Sequence, residues 1–224
     1  MKIDLNMAAA EGNSVKSIVV ANVYQVESKA GGHVYAIKQI ELLKEERNDV
    51  LINREVSILQ TLNHVNVVRY DAAWREHGTP DVELDKVYIM MDYCDYNLQQ
   101  VYDIITSVYK RKTHETICPV SYFIKLTLVE GILVGLGYLH DMGIMHRDIK
   151  QNNILVKQDG DCWTVKLCDF GLAKVEKSGS QHTQSVGTVS YKAPEVKHGG
   201  EYNHLADVFS LGIMLMQFDV NVNK

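Results

Sequence analysis

Two short polar segments constrain this chain more than anything else in it. They are Met145-His146-Arg147-Asp148-Ile149-Lys150-Gln151-Asn152-Asn153 and, sixteen residues after Asn153, Asp169-Phe170-Gly171. Strand-like runs at 154–157 and 164–167 flank them, with Asp159-Gly160 as the turn between the runs. Their side chains are chemically complementary. Asp148 can accept a proton from a hydroxyl, and Asn153 and Asp169 offer oxygens to a hard divalent cation. A His-Arg-Asp triplet alone recurs by chance and reads as a charged surface loop. Two segments in this order and at this spacing do not.

Composition narrows the class. A hydrophobic fraction of 46% and a charged fraction of 23% over 224 residues are those of a globular chain with one large or two small cores. The net charge of −5 argues against direct nucleic-acid binding, which usually shows a basic excess. Lys110-Arg111-Lys112, the one dense basic cluster, reads as a solvated helix end. Cys94, Cys118, Cys162 and Cys168 have neither disulfide-framework nor zinc spacing, which favours a reducing compartment. Asp4, Glu11 and Asn13 interrupt any signal-peptide core, and no run of about eighteen apolar residues suggests a membrane span. A cytoplasmic location is expected.

Periodicity divides the chain near residue 93. Residues 1–14 read as a loose arm. Strand patterns at 19–27 and 33–40 flank a Gly31-Gly32 hairpin turn, and 43–61 has helical period with Val50, Ile52, Val56, Leu59 and Leu62 on one face. Runs at 65–74 and 87–93 predict two more strands. Beyond Tyr93 the pattern is helical at 97–109 and 122–139. Residues 172–190 are polar and small and predict an exposed loop, and 205–218 is apolar nearly all round, as in an enclosed helix. The expectation is an α+β, two-lobed chain: a small antiparallel-sheet lobe with one helix at 15–93, and a mainly helical lobe at 94–224.

From about Val19 onward the chain resembles the protein kinase family. The resemblance rests on Tyr35-Ala36-Ile37-Lys38, Arg54-Glu55-Val56, the 145–153 and 169–171 segments, Gly187-Thr188-Val189-Ser190-Tyr191-Lys192-Ala193-Pro194-Glu195 and Asp207-Val208-Phe209-Ser210-Leu211-Gly212. It implies a bilobal fold, ATP and Mg2+ as cofactors, and transfer of a phosphoryl group to a protein substrate. Lys38 would contact the ATP phosphates and pair with Glu55. Val23, Ala36 and Leu155 would enclose the purine, Met91 would stand beside it, and backbone groups of Asp92 and Cys94 would bind its edge. Asp148 would be the base, Lys150 would steady the transferred phosphate, and Asn153 and Asp169 would hold the metal. Phe170 and Gly171 complete the metal-binding turn, and Asp207 would accept hydrogen bonds from the catalytic loop. Arg147 would pair with a phosphate on the 172–190 loop, with Thr183 and Thr188 as regulatory phosphosite candidates. Lys150 and Thr188 fit the serine/threonine class. A Ser/His/Asp hydrolase is the rival use of such residues, but no Gly-x-Ser-x-Gly is present. The His64–Glu76 segment resembles kinases of the translation initiation factor 2 alpha subunit, which makes that subunit a candidate substrate and allows a dimer through the small lobe; NIMA-related kinases are the alternative.

The sequence departs from that family in two places. A glycine-rich loop should put glycines at 16, 18 and 21, where this chain has Lys16, Ile18 and Ala21. Backbone amides must approach phosphates closely there, which side chains hinder. The chain also stops six residues after Phe218. Helices that would cover Leu211, Ile213, Leu215 and Phe218, and give Glu195 an arginine partner, are therefore expected to be lacking, leaving an apolar patch. These departures motivate an alternative: a catalytically impaired kinase-like binding module.

Overall fold

The computed structural model describes residues 18–29, 31–43, 50–78, 84–109, 118–175, 188–197 and 203–220. The arm at 1–14, Lys16, the 110–112 cluster, Thr183 and Gly187 lie outside them. The chain forms two compact units, one of residues up to Asn63 together with Val68–Tyr93, the other of His64–Val67 together with Cys94 onward.

The first unit is a four-stranded antiparallel sheet with one helix. Its strands are β1 (Ile18–Glu27), β2 (Val34–Leu43), β3 (Tyr70–Glu76) and β4 (Leu84–Asp92), in the order β1-β2-β4-β3, and α1 spans Val50–Thr61. Gly32, at φ +68°, makes the β1–β2 turn, a conformation open to glycine because it lacks a Cβ. Ile40, Leu42, Val87 and Ile89 of the sheet are buried, as are Ile52, Ile58 and Leu59 of α1, so the alternation of period two and the helical stripe of α1 define one core.

The second unit contains β5 (Tyr96–Asn97), α2 (Leu98–Val108), α3 (Pro119–Asp141), β6 (Ile144–Met145), β7 (Ile154–Asp159), β8 (Cys162–Leu167), β9 (Lys174–Val175), the one-turn α4 (Pro194–Lys197) and α5 (Leu205–Val220). Strands β5, β7 and β8 form one sheet, and β6 pairs with β9. Asn97 starts α2 with a reciprocal cap: its side chain accepts from the Gln100 N–H while the Gln100 side chain accepts from its own. Pro119 opens α3, where a missing N–H costs nothing. By length and hydropathy α3 would pass for a membrane span. Here one face of it, with Leu128, Ile132, Leu136 and Leu139, is buried, along with Ile154, Val156, Val165 and Leu167 of the β7–β8 hairpin.

Two expectations need correction. The run at 65–74 is not one strand, since β3 begins only at Tyr70. His64–Val67 instead packs within the second unit, against β8 and α3: Asn66 donates to the Val165 carbonyl at 2.9 Å and accepts from the Leu167 N–H at 2.9 Å, and His64 stacks on Tyr138. Gly135 makes room for this, because a Cβ there would lie 2.7 Å from the Asn66 carbonyl oxygen. Second, α5 does not leave Leu211 open. Leu211 and Met214 are buried, Ile213 and Leu215 are half-buried, and Leu205, Val208, Phe209 and Met216 are the exposed members. The inner face is set by Ala206, which clusters with Met145, Ala193 and Val196, and by the Ser210 hydroxyl, which donates to the Tyr191 carbonyl. The Phe218 side chain lies outside the described set.

Candidate active site

In the first unit, β2 alternation puts Ala36 and Lys38 on one face, and register adds Val23 opposite Lys38 and Met91 opposite Ala36. Lys38 Nζ lies 2.8 Å from Glu55 Oε1 on α1, and both side chains are about 5% exposed or less. Taking a charge out of water is costly, and an opposite charge at this distance offsets that cost. The Asp92 N–H donates to the Arg69 carbonyl at 2.9 Å. Ala21, one of the positions where glycine was expected, sits in the β1 ladder opposite Ile40, and Ile18 begins that strand.

The second unit holds the 145–153 segment between β6 and β7. Arg147 sits at φ +66° and Asp169 at φ +65°, left-handed conformations that cost a non-glycine residue energy and persist only where other bonds fix them. Asp207, at the start of α5, supplies those bonds for Arg147. Its Oδ1 accepts from the Arg147 N–H at 2.7 Å and its Oδ2 from the His146 N–H at 2.9 Å. His140, at the end of α3, donates to the same Oδ2 at 3.0 Å. His140 had no motif to mark it in the sequence. The His146 ring donates to the Cys168 carbonyl and packs against the fully buried Phe170.

Asp148 is saturated. Oδ1 accepts from the Thr188 N–H at 3.0 Å and the Thr188 hydroxyl at 2.8 Å; Oδ2 accepts from Lys150 Nζ at 2.7 Å and Asn153 Nδ2 at 2.8 Å. A carboxylate has about four acceptor sites, and here all are used. Burial pushes the Asp148 carboxyl up, but Lys150 and Thr188 outweigh it and hold the group below the usual carboxylate range. Lys150 also donates to the Thr188 hydroxyl at 3.1 Å, so Asp148, Lys150 and Thr188 form a closed ring. Lys192, four residues on, is pushed down by its own burial and partly restored by the charge of Asp148.

Asn153 is fully buried, and its Oδ1 has no hydrogen-bond partner among the described residues while its Nδ2 is bound to Asp148. A buried amide oxygen left unpaired is costly, and an ion is one way to satisfy it. The Asn153 carbonyl accepts from the Cys168 N–H at 3.0 Å, so the carboxylate of Asp169 belongs to the next residue along. Two hard oxygen donors, without a full protein cage, suit Mg2+.

Residues 19–221 match the family model described as the protein kinase domain. The chain belongs to the protein kinase family. Among curated relatives, this kinase domain is 36% identical over 184 residues to a human ribosomal protein S6 kinase-related protein, covering 81% of this chain and 40% of the relative. It is 31% identical to the mouse interferon-induced, double-stranded RNA-activated protein kinase, covering 87% and 36%, and 30% identical to the mouse serine/threonine-protein kinase Nek1, covering 92% and 15%. The chain thus spans 40% or less of these relatives' length, and no one kinase subfamily is singled out. The solved yeast RNA polymerase II CTD kinase CTDK-1 complex contains a similar fold, with a TM-score of 0.68 at 25% identity, covering 96% of this chain and 65% of that one.

Of the remaining expected site residues, Leu155 is half-buried on β7 and Cys94 is buried, both in the second unit. Arg147, expected to wait for a phosphate, donates through Nε to the Leu172 carbonyl at 2.6 Å. The Thr188 hydroxyl is engaged on both sides. Glu195, in α4, has no ion-pair partner among the described residues. None of the four cysteines is joined in a disulfide.

Proposed function

We propose that this kinase domain transfers the γ-phosphoryl group of ATP to a serine or threonine hydroxyl of a protein substrate. The observation that carries the reading is the ring of Asp148, Lys150 and Thr188, which sets a carboxylate and an ammonium side by side where a hydroxyl can be oriented. Lys38, fixed by Glu55, would bind ATP phosphates, and Asn153 Oδ1 with the Asp169 carboxylate would hold Mg2+. Bound Mg2+ supplies charge neutralisation for the phosphates. The depressed Asp148 carboxyl is a weak base, which suits a reaction whose barrier is lowered mostly by positioning and electrostatics. The alpha subunit of translation initiation factor 2 is the finer substrate reading, supported by the His64–Glu76 resemblance.

The test is turnover on serine, threonine and tyrosine peptides and on that subunit, with mass-spectrometric assignment of the phosphate. Asp148→Asn should lower turnover about 10²–10⁴-fold, the range for losing a general base, while leaving Mg2+-dependent nucleotide binding intact. Equal turnover by parent and variant, or phosphate on tyrosine alone, would defeat the proposal. Ala21 in a regular strand ladder favours a second reading, an impaired kinase-like module. Nucleotide stabilisation without turnover on any substrate would decide for it.

A further inference from the structure

We propose that β1 pairs, edge to edge and antiparallel, with β1 of a second copy of this chain, so that two four-stranded sheets become one. The strand order β1-β2-β4-β3 has two edges, β1 and β3. β2 and β4 are paired on both sides, whereas β1 is paired with β2 alone among the described strands. A strand with one side open presents a row of backbone N–H and C=O groups that another strand can satisfy.

The two edges differ in what guards them. β3 is seven residues long, three of them charged (Asp71, Arg75 and Glu76), and its register shifts between Tyr70 and Ala72. Charge and irregular pairing are what keep an edge from recruiting another strand. β1 is ten residues long, with no lysine, arginine or proline and a single charge, Glu27, at its last position. Its register shifts at Ile18/Val20 and then runs unbroken to Glu27. The longer, less charged edge is the unguarded one.

The sequence of that regular span selects a second copy as the occupant. A two-fold axis perpendicular to a sheet keeps each face on its own side, so positions of like alternation meet. Centred on Tyr24, the middle of Ala21–Glu27, it sets Tyr24 against its own counterpart and Asn22 against Val26. These lie on the face opposite Lys38, because Val23 shares the Lys38 position in register. On the other face Val23 meets Gln25, and Ala21 meets Glu27. The two Glu27 carboxylates fall at opposite ends of the joined strands, so no like charges are opposed, and an aromatic pair stands at the centre. The pairing uses main-chain groups of the first unit and does not rest on phosphoryl transfer.

Sedimentation of the intact chain over a range of concentrations should show a monomer–dimer equilibrium. Asn22→Lys with Val26→Lys opposes two lysines at each end of the pairing and should weaken dimerisation about tenfold or more. Asn22→Glu with Val26→Glu should do the same. Mixing the two variants should restore a dimer of one lysine chain and one glutamate chain, since each facing pair is then opposite in charge. A parent that stays monomeric overturns the proposal, whichever segment then covers the edge. So does a dimer that survives the lysine changes, as one held by the exposed Phe123 and Leu133 of α3 would, or a mixture that does not recover association. Hydrogen exchange of the unaltered chain gives a measurement free of variants that misfold. Amides of β1 should be better protected at concentrations where the dimer dominates, with those of β3 unchanged, and equal protection of β1 at all concentrations overturns the pairing.

Discussion

Replacing Asp207 by asparagine keeps the size of the side chain and removes its charge, so it tests whether the catalytic segment is held as described. Three donors meet this carboxylate, two of them the backbone N–H groups of His146 and Arg147, and the side chain is 1% exposed. An asparagine offers one acceptor oxygen, so whichever way the amide turns, one backbone N–H faces an NH2. A hydrogen bond to a charged group contributes about 1.5–3 kcal/mol, and a buried donor left unpaired costs about 1–3 kcal/mol. Allowing for relaxation, a loss of about 2–4 kcal/mol is expected from a total of roughly 5–15 kcal/mol. At about 2–4 °C per kcal/mol for a chain of this size, the melting temperature should fall by about 5–15 °C. The strained φ of Arg147, which costs about 1–3 kcal/mol, would then be free to relax, so turnover should fall by more than the folded fraction does. Thermal unfolding gives the first quantity, and amide exchange of residues 144–149 gives the second. A melt within about 1 °C of the parent, with unchanged exchange, would show that Asp207 does not hold this segment.

Lys38→Met removes the ammonium that faces the buried Glu55 carboxylate and should cost about 3–5 kcal/mol in denaturant unfolding, whereas Lys38→Met with Glu55→Leu should recover most of it; equal stability of single and double variants would contradict the buried pair. The Asp148 carboxyl titrates below its unfolded value of about 3.9, so its contribution to stability is present above that pH and is lost as pH falls through the lower folded value. Lys150→Met removes the main opposing charge and leaves burial dominant, so the acid limb of the stability curve should move to higher pH; an unmoved limb would mean that Lys150 does not set the shift. Thr188→Ser should keep near-parental turnover, Thr188→Val should lose about tenfold or more for want of the hydroxyl, and Thr188→Glu should lose more by setting an anion against Asp148. Parental or higher turnover in Thr188→Glu would instead support an activating phosphosite.

The elements were legible where one physical signal dominated. A strand-like pattern marked β2, an apolar run marked β4, and the Asp159-Gly160 pair marked the hairpin turn, where Gly160 adopts φ +58°. The chemical segments were legible because polar residues interrupt apolar runs. What failed was the assignment of partners. Val65, Val67 and Val68 look like a strand, but the backbone of His64–Val67 bonds to β8, nearly one hundred positions away in sequence, and local pattern carries no information about that. Leu211 was expected on an open face because α5 is apolar nearly all round, and a periodic signal that weak cannot orient a helix. His140 was invisible for a related reason: a single histidine at a helix end has no pattern until Asp207 is beside it.

The saturated carboxylate of Asp148 separates the fixed part of the site from the exchangeable part. A substrate hydroxyl can donate to it only by replacing one of its four donors. Asn153 is fully buried, and its backbone is tied to Cys168, so it cannot leave without breaking the turn. The Thr188 N–H is main chain, held by the turn that joins Thr188 to Tyr191. The Thr188 hydroxyl can rotate, but its own Oγ would then still occupy the space beside Oδ1. Lys150 is different: its side chain is 21% exposed, on a four-carbon stem with freely rotating donors. We infer that Lys150 is the group that yields, passing its lone-pair site on Oδ2 to the incoming hydroxyl. On the kinase reading proposed above, the ammonium so released would be free to approach the phosphates of ATP, so one exchange would both orient the nucleophile and bring a cation toward the transferred group.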